Sequence, residues 1–156
     1  MAEPTFDQTY RRFFPMIREK CARMLSDRDE AQDVAQETFV RLWRSGVAGL
    51  EAPALTAWIY RTSTRLAVDR LRQRGRLANL AIAPDESTPG AADALEARRE
   101  LERIASTVPA AELQAAILHR FDRMGQQEVA EVLGSSERTV RRLLERFDRR
   151  MKEAPG

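Results

Sequence analysis

The chain has 156 residues, 43% of them hydrophobic and 32% charged, with a formal net charge of +2. This length admits one domain or two small ones and excludes a large α/β enzyme, while the composition is too apolar for disorder and too polar for a membrane protein. The sequence has neither an apolar run of membrane-spanning length nor a secretory signal at its start, so we expect a cytoplasmic protein. With Cys21 and His119 as the single residues of their types, we expect no internal disulfide, no metal site and no cofactor.

Charge is distributed unevenly along the chain. Residues 1–76 carry 14 basic and 10 acidic side chains, residues 77–97 carry four acidic and no basic ones, and residues 98–156 carry 12 basic and 10 acidic ones. Two basic blocks around an acidic strip indicate a polyanionic partner. Arginine outnumbers lysine 24 to 2, which suits phosphate and guanine ligation, although a genomic composition bias would produce the same excess.

The composition predicts an almost entirely helical chain, because Ala and Leu far outnumber Val and Ile. Pro15 and Pro53 suit first-turn positions, Asp27 suits an N-cap, and Gly46 suits a helix end. In chain order we predict helices at about 5–13, 15–25, 27–45, 53–75, 98–107, 110–122, 126–133 and 136–152. We expect an all-α fold of two small helical domains, 1–80 and 98–156, joined by an acidic flexible linker at 81–97.

The helix predicted at 27–45 has an acidic face. Glu30, Asp33 and Glu37 lie at i, i+3 and i+7, and apolar packing is expected from Val34, Phe39, Leu42 and Trp43. Three acids in this register are compatible with a solvated face as well as with an interface.

The helix predicted at 53–75 is basic. Between residues 61 and 76 six arginines accompany a single acid, Asp69, and an aromatic cluster that includes Trp58 and Tyr60 precedes them. This arrangement suits a phosphate backbone with unstacked bases, while the competing role for Trp58 is a core anchor.

The C-terminal block fits a helix-turn-helix that starts at Gln126. Ala130 falls where the two helices cross, Gly134 at the turn, and Val140 where the second helix packs back on the first. Ser136 is the predicted N-cap of the second helix. The buried stripe is predicted to be Val140, Leu144, Phe147 and Met151. Arg138, Arg141 and Arg142 then point outward in the part of a recognition helix that enters a major groove, although a basic solvated helix in a bundle has the same pattern.

Three motifs in this order resemble the extracytoplasmic-function (ECF) sigma factors, small bacterial sigma factors with only regions 2 and 4. The first is D-x-x-Q-E-x-F at 33–39, and the second is W-I-Y-R at 58–61 followed by L-A-x-D-x-x-R at 66–72. The third is E-V-A-E-V-L-G at 128–134 followed by T-V-R at 139–141. The resemblance covers about residues 6–76 and 98–152.

The resemblance implies a role in promoter-directed transcription initiation with core RNA polymerase and promoter DNA as partners. It implies contact with the β′ clamp helices through Glu30, Asp33, Gln36, Glu37 and Phe39. It implies recognition of the −10 element through Tyr60, Arg61, Arg65, Asp69 and Arg72, with a displaced base held by the loop 45–55. It implies recognition of the −35 element through Arg138, Thr139, Arg141, Arg142 and Arg146. An anti-sigma factor is a further implied partner.

Several residues depart from the family pattern, and other classes of protein remain open. Arg65 stands where Asn is usual, Arg142 and Leu143 replace a frequent Ser and Arg, and Arg123 stands where Gly is more usual. A stand-alone helix-turn-helix transcriptional regulator explains the C-terminal block alone, and a structural helical adaptor would not need the arginines. An enzyme is not favoured, because no nucleophile–base pair is suggested; we expect no catalytic residue and no small-molecule substrate.

Overall fold

A computed structural model describes residues 5–46, 49–78 and 91–153. Every regular element in these ranges is helical. The helices are α1 (Phe6–Leu25), α2 (Arg28–Ser45), α3 (Ala52–Ala78), α4 (Ala91–Thr107), α5 (Ala110–Ala116), α6 (Gln126–Leu133) and α7 (Glu137–Glu153). A π-helical turn, Ile117–Phe121, continues α5. We call α1–α3 the N-terminal domain and α4–α7 the C-terminal domain, and the all-α prediction is confirmed.

Local signals at the helix ends operate as the sequence predicts. Asp27 accepts a hydrogen bond from the Glu30 backbone N–H at 3.0 Å and so caps α2. Gly46 ends α2 with a φ of 73°, and Gly134 makes the turn between α6 and α7 with a φ of 65°. Ser136 Oγ accepts from the Thr139 backbone N–H at 3.1 Å, which caps α7.

Two predicted boundaries are wrong. Pro15 lies inside α1, because buried residues on both sides of it (Phe13, Phe14 and Ile17) hold the helix together although proline removes one backbone bond. The fourth helix begins at Ala91, so residues 91–97 of the predicted linker are helical, and residues 81–90 lie outside the described residues. The predicted helix at 110–122 is helical over 110–121, and its pitch changes from α to π at Ile117.

Two hydrophobic clusters hold the fold together. The larger one fills the space between α1, α2 and α3, and it also takes in Ala105, Val108 and Leu113 from the C-terminal domain. The smaller one lies among α5, α6 and α7 and contains Ala130 and Val140 at the predicted helix-turn-helix crossing. The half-buried Tyr60 and Phe147 pack against both clusters. The two domains are therefore in direct apolar contact.

Two kinds of feature are absent from the described ranges. No described helix has the length and apolarity needed to cross a bilayer. No three His, Cys, Asp or Glu side chains of the described residues are grouped so that they could hold a metal ion.

Candidate protein and nucleic-acid interfaces

The outer face of α2 is an exposed stripe of acidic and apolar side chains. Asp33, Gln36, Glu37 and Val40 are exposed along it, and Trp43 is 67% exposed at its end. Glu37 pairs with Arg41 at 3.1 Å, which leaves Asp33 as the acid on this stripe with no ion pair among the described residues. An exposed tryptophan beside acids is typical of a protein-binding surface.

Trp43 corrects the sequence prediction, which expected it to pack in the interior. Its ring meets the Phe6 ring edge-on at a centroid distance of 5.0 Å, and the rest of the indole faces solvent. Trp43 lies seven residues after Gln36, which puts both on one helix face. The helical period alone therefore predicts that Trp43 lies on the exposed face of α2. The actual interior of α2 consists of Ala31, Val34, Ala35, Thr38, Phe39 and Leu42.

Two residues predicted for the polymerase surface lie elsewhere. Phe39 is 1% exposed, and its ring packs edge-on against Tyr10 at 5.3 Å between centroids. Glu30 faces α3 and accepts a hydrogen bond from Arg74 Nη1 at 2.8 Å. Because Phe39 is a core residue and Glu30 is part of an ion pair across two helices, neither belongs to the exposed stripe.

Some of the predicted DNA-binding residues of the basic helix α3 are exposed to solvent, and others pack against the C-terminal domain. Arg65 and Asp69 are exposed, and Asp69 lines a cleft of about 220 Å³ between α2 and α3 together with Glu37 and Arg76. The remaining residues predicted for the −10 element (Tyr60, Arg61 and Arg72) are partly buried against the C-terminal domain.

Arg72 and Arg61 each donate to the carboxyl end of a helix in the C-terminal domain. Arg72 Nε donates to the Ala105 carbonyl at 2.8 Å, and Arg72 Nη2 donates to the Val108 carbonyl at 2.9 Å. The helical partner of the Ala105 carbonyl would be the N–H of residue 109, which is a proline and has none. Arg61 Nη1 donates to the Val132 carbonyl, in the last turn of α6, at 3.4 Å. Both guanidinium groups thus stabilise the negative end of a helix dipole.

A buried cation, Lys20, lies where α1, α3 and the turn after α5 meet. Its Nζ is 2.5 Å from Asp122 Oδ2 and 2.6 Å from Thr64 Oγ1, and its side chain is 5% exposed. Nζ also lies 5.0 Å from the centroid of the Tyr60 ring. Burial lowers the pKa of Lys20 despite the opposing effect of Asp122. The pKa of Tyr60 is raised, first by burial and then by the Asp122 charge.

A second buried cation, Arg74, joins three helices. Its side chain is 8% exposed and reaches Glu30 of α2 at 2.8 Å and Glu102 of α4 at 3.1 Å. Its Nη2 is buried and makes no hydrogen bond among the described residues. The sequence does not distinguish Arg74 from the five other arginines between residues 61 and 76. Nothing in the local pattern shows that its guanidinium group is buried.

The outer face of α7 carries a row of arginines. Val140 and Leu144 are buried and Phe147 is half-buried, so the opposite face is free. The residues predicted for the −35 element are all exposed: Arg138, Thr139, Arg141, Arg142 and Arg146. None of these four arginines has an ion pair within the described part of the chain. Unpaired guanidinium groups on the second helix of a helix-turn-helix suit contact with duplex DNA.

Comparison with known proteins identifies both halves of the chain. The profile described as Sigma-70 region 2 matches residues 9–77, and the profile described as Sigma-70, region 4 matches residues 98–146. The first matched range contains α2 and most of α3, and the second contains the helix-turn-helix.

Three curated relatives match this chain to different extents. ECF RNA polymerase sigma factor SigE of Mycolicibacterium smegmatis is 24% identical over 97% of this chain and 62% of its own length. ECF RNA polymerase sigma factor SigW of Bacillus subtilis is 36% identical over 37% of this chain and 31% of its own. ECF RNA polymerase sigma factor SigL of Mycobacterium tuberculosis is 30% identical over 76% of this chain and 71% of its own. The chain thus spans less than two thirds of SigE and about a third of SigW.

Proposed function

Since the chain belongs to the ECF family of RNA polymerase sigma factors, we propose that it binds core RNA polymerase and directs initiation at promoters. The observation that carries this proposal is the presence in one chain of an acidic and apolar stripe on α2 and an unpaired arginine row on α7. A stand-alone helix-turn-helix regulator would use the arginine row and leave the stripe without a partner. The division of labour follows the N-terminal domain (α1–α3) and the C-terminal domain (α4–α7).

Polymerase contact is assigned to the exposed stripe of α2. Asp33, Gln36 and Glu37 supply polar contacts to the β′ clamp helices, and Val40 and Trp43 add apolar area. Large aromatic residues supply much of the binding energy in protein interfaces. Trp43 therefore replaces Phe39 as the aromatic contact in this proposal.

DNA contact is assigned to two separate surfaces. The row on α7 reads the −35 element in the major groove, where arginine recognises guanine and phosphate. On α3, the −10 region is assigned to the exposed Arg65 and Asp69. Tyr60, Arg61 and Arg72 are assigned to the same region, although in the structure they contact the C-terminal domain. The predicted loop 45–55 is shorter in the structure, because α2 ends at Ser45 and α3 begins at Ala52. The connecting segment 46–51, of which residues 47–48 lie outside the described residues, holds a displaced base. Unstacking a base costs a few kcal/mol, and contacts within the complex offset that cost.

The remaining partners and the location follow from this role. Polymerase performs the bond chemistry, so the chain needs no catalytic residue, cofactor or small-molecule substrate of its own. It acts in the cytoplasm with polymerase, and an anti-sigma factor that covers its polymerase- and DNA-binding surfaces is a further proposed partner.

Run-off transcription with core polymerase on a library of promoter fragments tests the proposal. We expect transcripts that depend on the added chain. The variant Asp33→Ala/Glu37→Ala should lose polymerase binding while keeping a native circular dichroism spectrum. The matched control is Asp7→Ala/Glu19→Ala, which removes one exposed Asp and one exposed Glu from α1. No chain-dependent transcript, or tight duplex binding that needs no polymerase, would favour the stand-alone regulator.

A further inference from the structure

We propose that α1 positions the exposed aromatic residue of the α2 stripe, with Phe6 as the positioning residue that orients Trp43 for its contact with polymerase. The inference rests on the proposed function, which assigns this stripe to core RNA polymerase. Phe6 lies on α1, outside the stripe, and its ring packs against the Trp43 indole. A second helix thus takes part in presenting the polymerase-binding surface.

The Phe6 ring limits the orientations that the Trp43 indole can adopt. Trp43 is 67% exposed, so solvent alone would leave its two side-chain torsions free to populate several rotamers. Phe6 meets the indole edge-on, at a centroid distance of 5.0 Å and an interplanar angle of 75°. Edge-to-face packing is one of the geometries that aromatic quadrupoles favour. The indole is therefore held in one orientation while most of its surface stays available to a partner.

A row of aromatic side chains connects Phe6 to the core of the N-terminal domain. Phe6, Tyr10 and Phe14 are spaced four residues apart on α1, which puts them on one helix face. The Phe6 and Tyr10 ring centroids are 6.2 Å apart, and the Tyr10 and Phe14 rings stack at 4.8 Å between centroids. Phe14 is buried in the core. Because each ring rests on the next, the orientation of Trp43 is set from the interior of the domain.

The first turn of α1 is fixed by a reciprocal pair of hydrogen bonds. Phe6 is the first residue of α1, a place where helices commonly fray. Thr5 Oγ1 accepts from the Gln8 backbone N–H at 3.2 Å, and Gln8 Oε1 accepts from the Thr5 backbone N–H at 2.9 Å. This capping box satisfies two donors at the helix end, so the Phe6 backbone has a defined place from which its ring reaches α2.

Positioning of this kind changes affinity without a direct contact to polymerase. A side chain that binding immobilises loses rotamer freedom, and this loss weakens association unless the side chain is already ordered in the free protein. Phe6 orders Trp43 before polymerase arrives. Loss of the Phe6 ring should therefore weaken polymerase binding only when Trp43 is present. That dependence separates a positioning residue from one that touches polymerase.

Titration of labelled core polymerase with the full chain measures the effect. Phe6→Ala should bind about fivefold more weakly, whereas Phe6→Tyr keeps an edge-on ring and should stay within about twofold of the unchanged chain. Met16→Ala is the control, because it shortens a 50% exposed apolar side chain elsewhere on α1. Unchanged affinity of Phe6→Ala, or an equal loss in Met16→Ala, would overturn the proposal.

A second variant covers the case in which alanine disturbs the helix. Should Phe6→Ala lose helix content in circular dichroism, Phe6→Leu takes its place, since leucine keeps apolar volume without a ring. The expected loss of affinity is again about fivefold. Affinity of a folded Phe6→Leu equal to that of the unchanged chain would contradict the role of the ring.

A double-mutant cycle shows whether Phe6 acts through Trp43. In the Trp43→Ala background, Phe6→Ala should cause no further loss of polymerase affinity. A further loss of about fivefold in that background would mean that Phe6 touches polymerase itself or supports the fold. Either result would overturn the positioning role.

Tryptophan fluorescence provides a readout that needs no polymerase. Trp43 and Trp58 are the two tryptophans of the chain, so Trp58→Phe leaves Trp43 as the single fluorophore. A freed indole rotates on the picosecond to nanosecond timescale. Phe6→Ala should therefore lower the time-resolved anisotropy of Trp43, whereas Phe6→Tyr should leave it unchanged. Equal anisotropy decays of Phe6→Ala and its parent would overturn the proposal.

The two readouts distinguish failure of the positioning role from failure of the proposed function. If the unchanged chain does not bind core polymerase, the proposed function fails, and the Trp43 anisotropy alone decides the role of Phe6. If the unchanged chain binds polymerase and Phe6→Ala alters neither affinity nor anisotropy, the proposed function stands and the positioning role is overturned.

Discussion

Replacement of Gly75 by alanine offers a direct test of how tightly α3 and α4 pack. The added methyl would lie 2.3 Å from Ser106 Oγ, so the hydroxyl must move by about 1 Å to reach an ordinary contact distance. That movement breaks the 2.8 Å bond from Ser106 Oγ to the Glu102 carbonyl. Alanine nevertheless has the higher helix propensity, so the sign of the effect depends on two opposing contributions.

The contributions can be estimated separately. Overpacking a fitted contact costs about 1–3 kcal/mol, and the lost hydroxyl bond adds about 0.5 kcal/mol because Ser106 is exposed and can bond to water. Alanine in place of glycine inside a helix contributes about 1 kcal/mol in the other direction. The net expectation for Gly75→Ala is a loss of about 1–2 kcal/mol in the free energy of unfolding.

A double-mutant cycle in urea separates these contributions. Ser106→Ala removes the Oγ and leaves the 3.1 Å distance to the Glu102 carbonyl as the shortest approach. We therefore expect Gly75→Ala/Ser106→Ala to recover most of the loss, with a coupling energy of about 1 kcal/mol. If Gly75→Ala alone raises the free energy of unfolding and Ser106→Ala adds no coupling, α3 and α4 are not in close contact and the reasoning fails.

Three other predictions address the core, the buried thiol and the recognition helix. Phe39→Ala should lower the free energy of unfolding by about 3–5 kcal/mol, whereas Trp43→Ala should change it by less than about 1 kcal/mol and weaken polymerase binding. Urea unfolding measures the stability of both variants and a pull-down measures their polymerase binding. A large loss of stability in Trp43→Ala, with weakened binding in Phe39→Ala, would contradict the assignment. Burial raises the pKa of Cys21 from 9.0 to about 11, so the unfolded thiol ionises first and stability should fall as pH rises from 9 toward 11, by an amount on the order of 2–3 kcal/mol. Cys21→Ala should lack this fall, and identical pH profiles of the two proteins would refute it. Arg141→Ala should weaken promoter binding by about 1–3 kcal/mol for some promoter variants more than others, whereas a uniform loss in binding titrations would indicate a phosphate contact.

Features whose cause is local could be predicted from the sequence. Asp27, Gly46, Gly134 and Ser136 act within one turn of themselves, so residue type and position were sufficient to predict their caps and turns. The helix-turn-helix also followed from spacing alone, because Ala130 and Val140 are set by the geometry of one helix crossing.

Features whose cause lies in distant parts of the chain could not be predicted from the sequence. Arg74 is buried because Glu102, 28 residues later, meets it, and the helical pattern of α3 contains no trace of that partner. Local rules disfavour proline inside a helix and so predict a helix start at Pro15, whereas tertiary packing on both sides outweighs the lost backbone bond. Because the local sequence does not show distant partners, it predicts that all arginines of α3 are available to contact DNA.

The helix ends that Arg61 and Arg72 complete also bear on how the sequence can diverge. The acceptors are backbone carbonyls of Ala105, Val108 and Val132, and no side-chain substitution at these positions removes a carbonyl. Correlated substitutions between α3 and the C-terminal domain should therefore be absent at these contacts even if the contacts persist. Statistical coupling between aligned positions would overlook this part of the domain interface, which only the geometry of the backbone reveals.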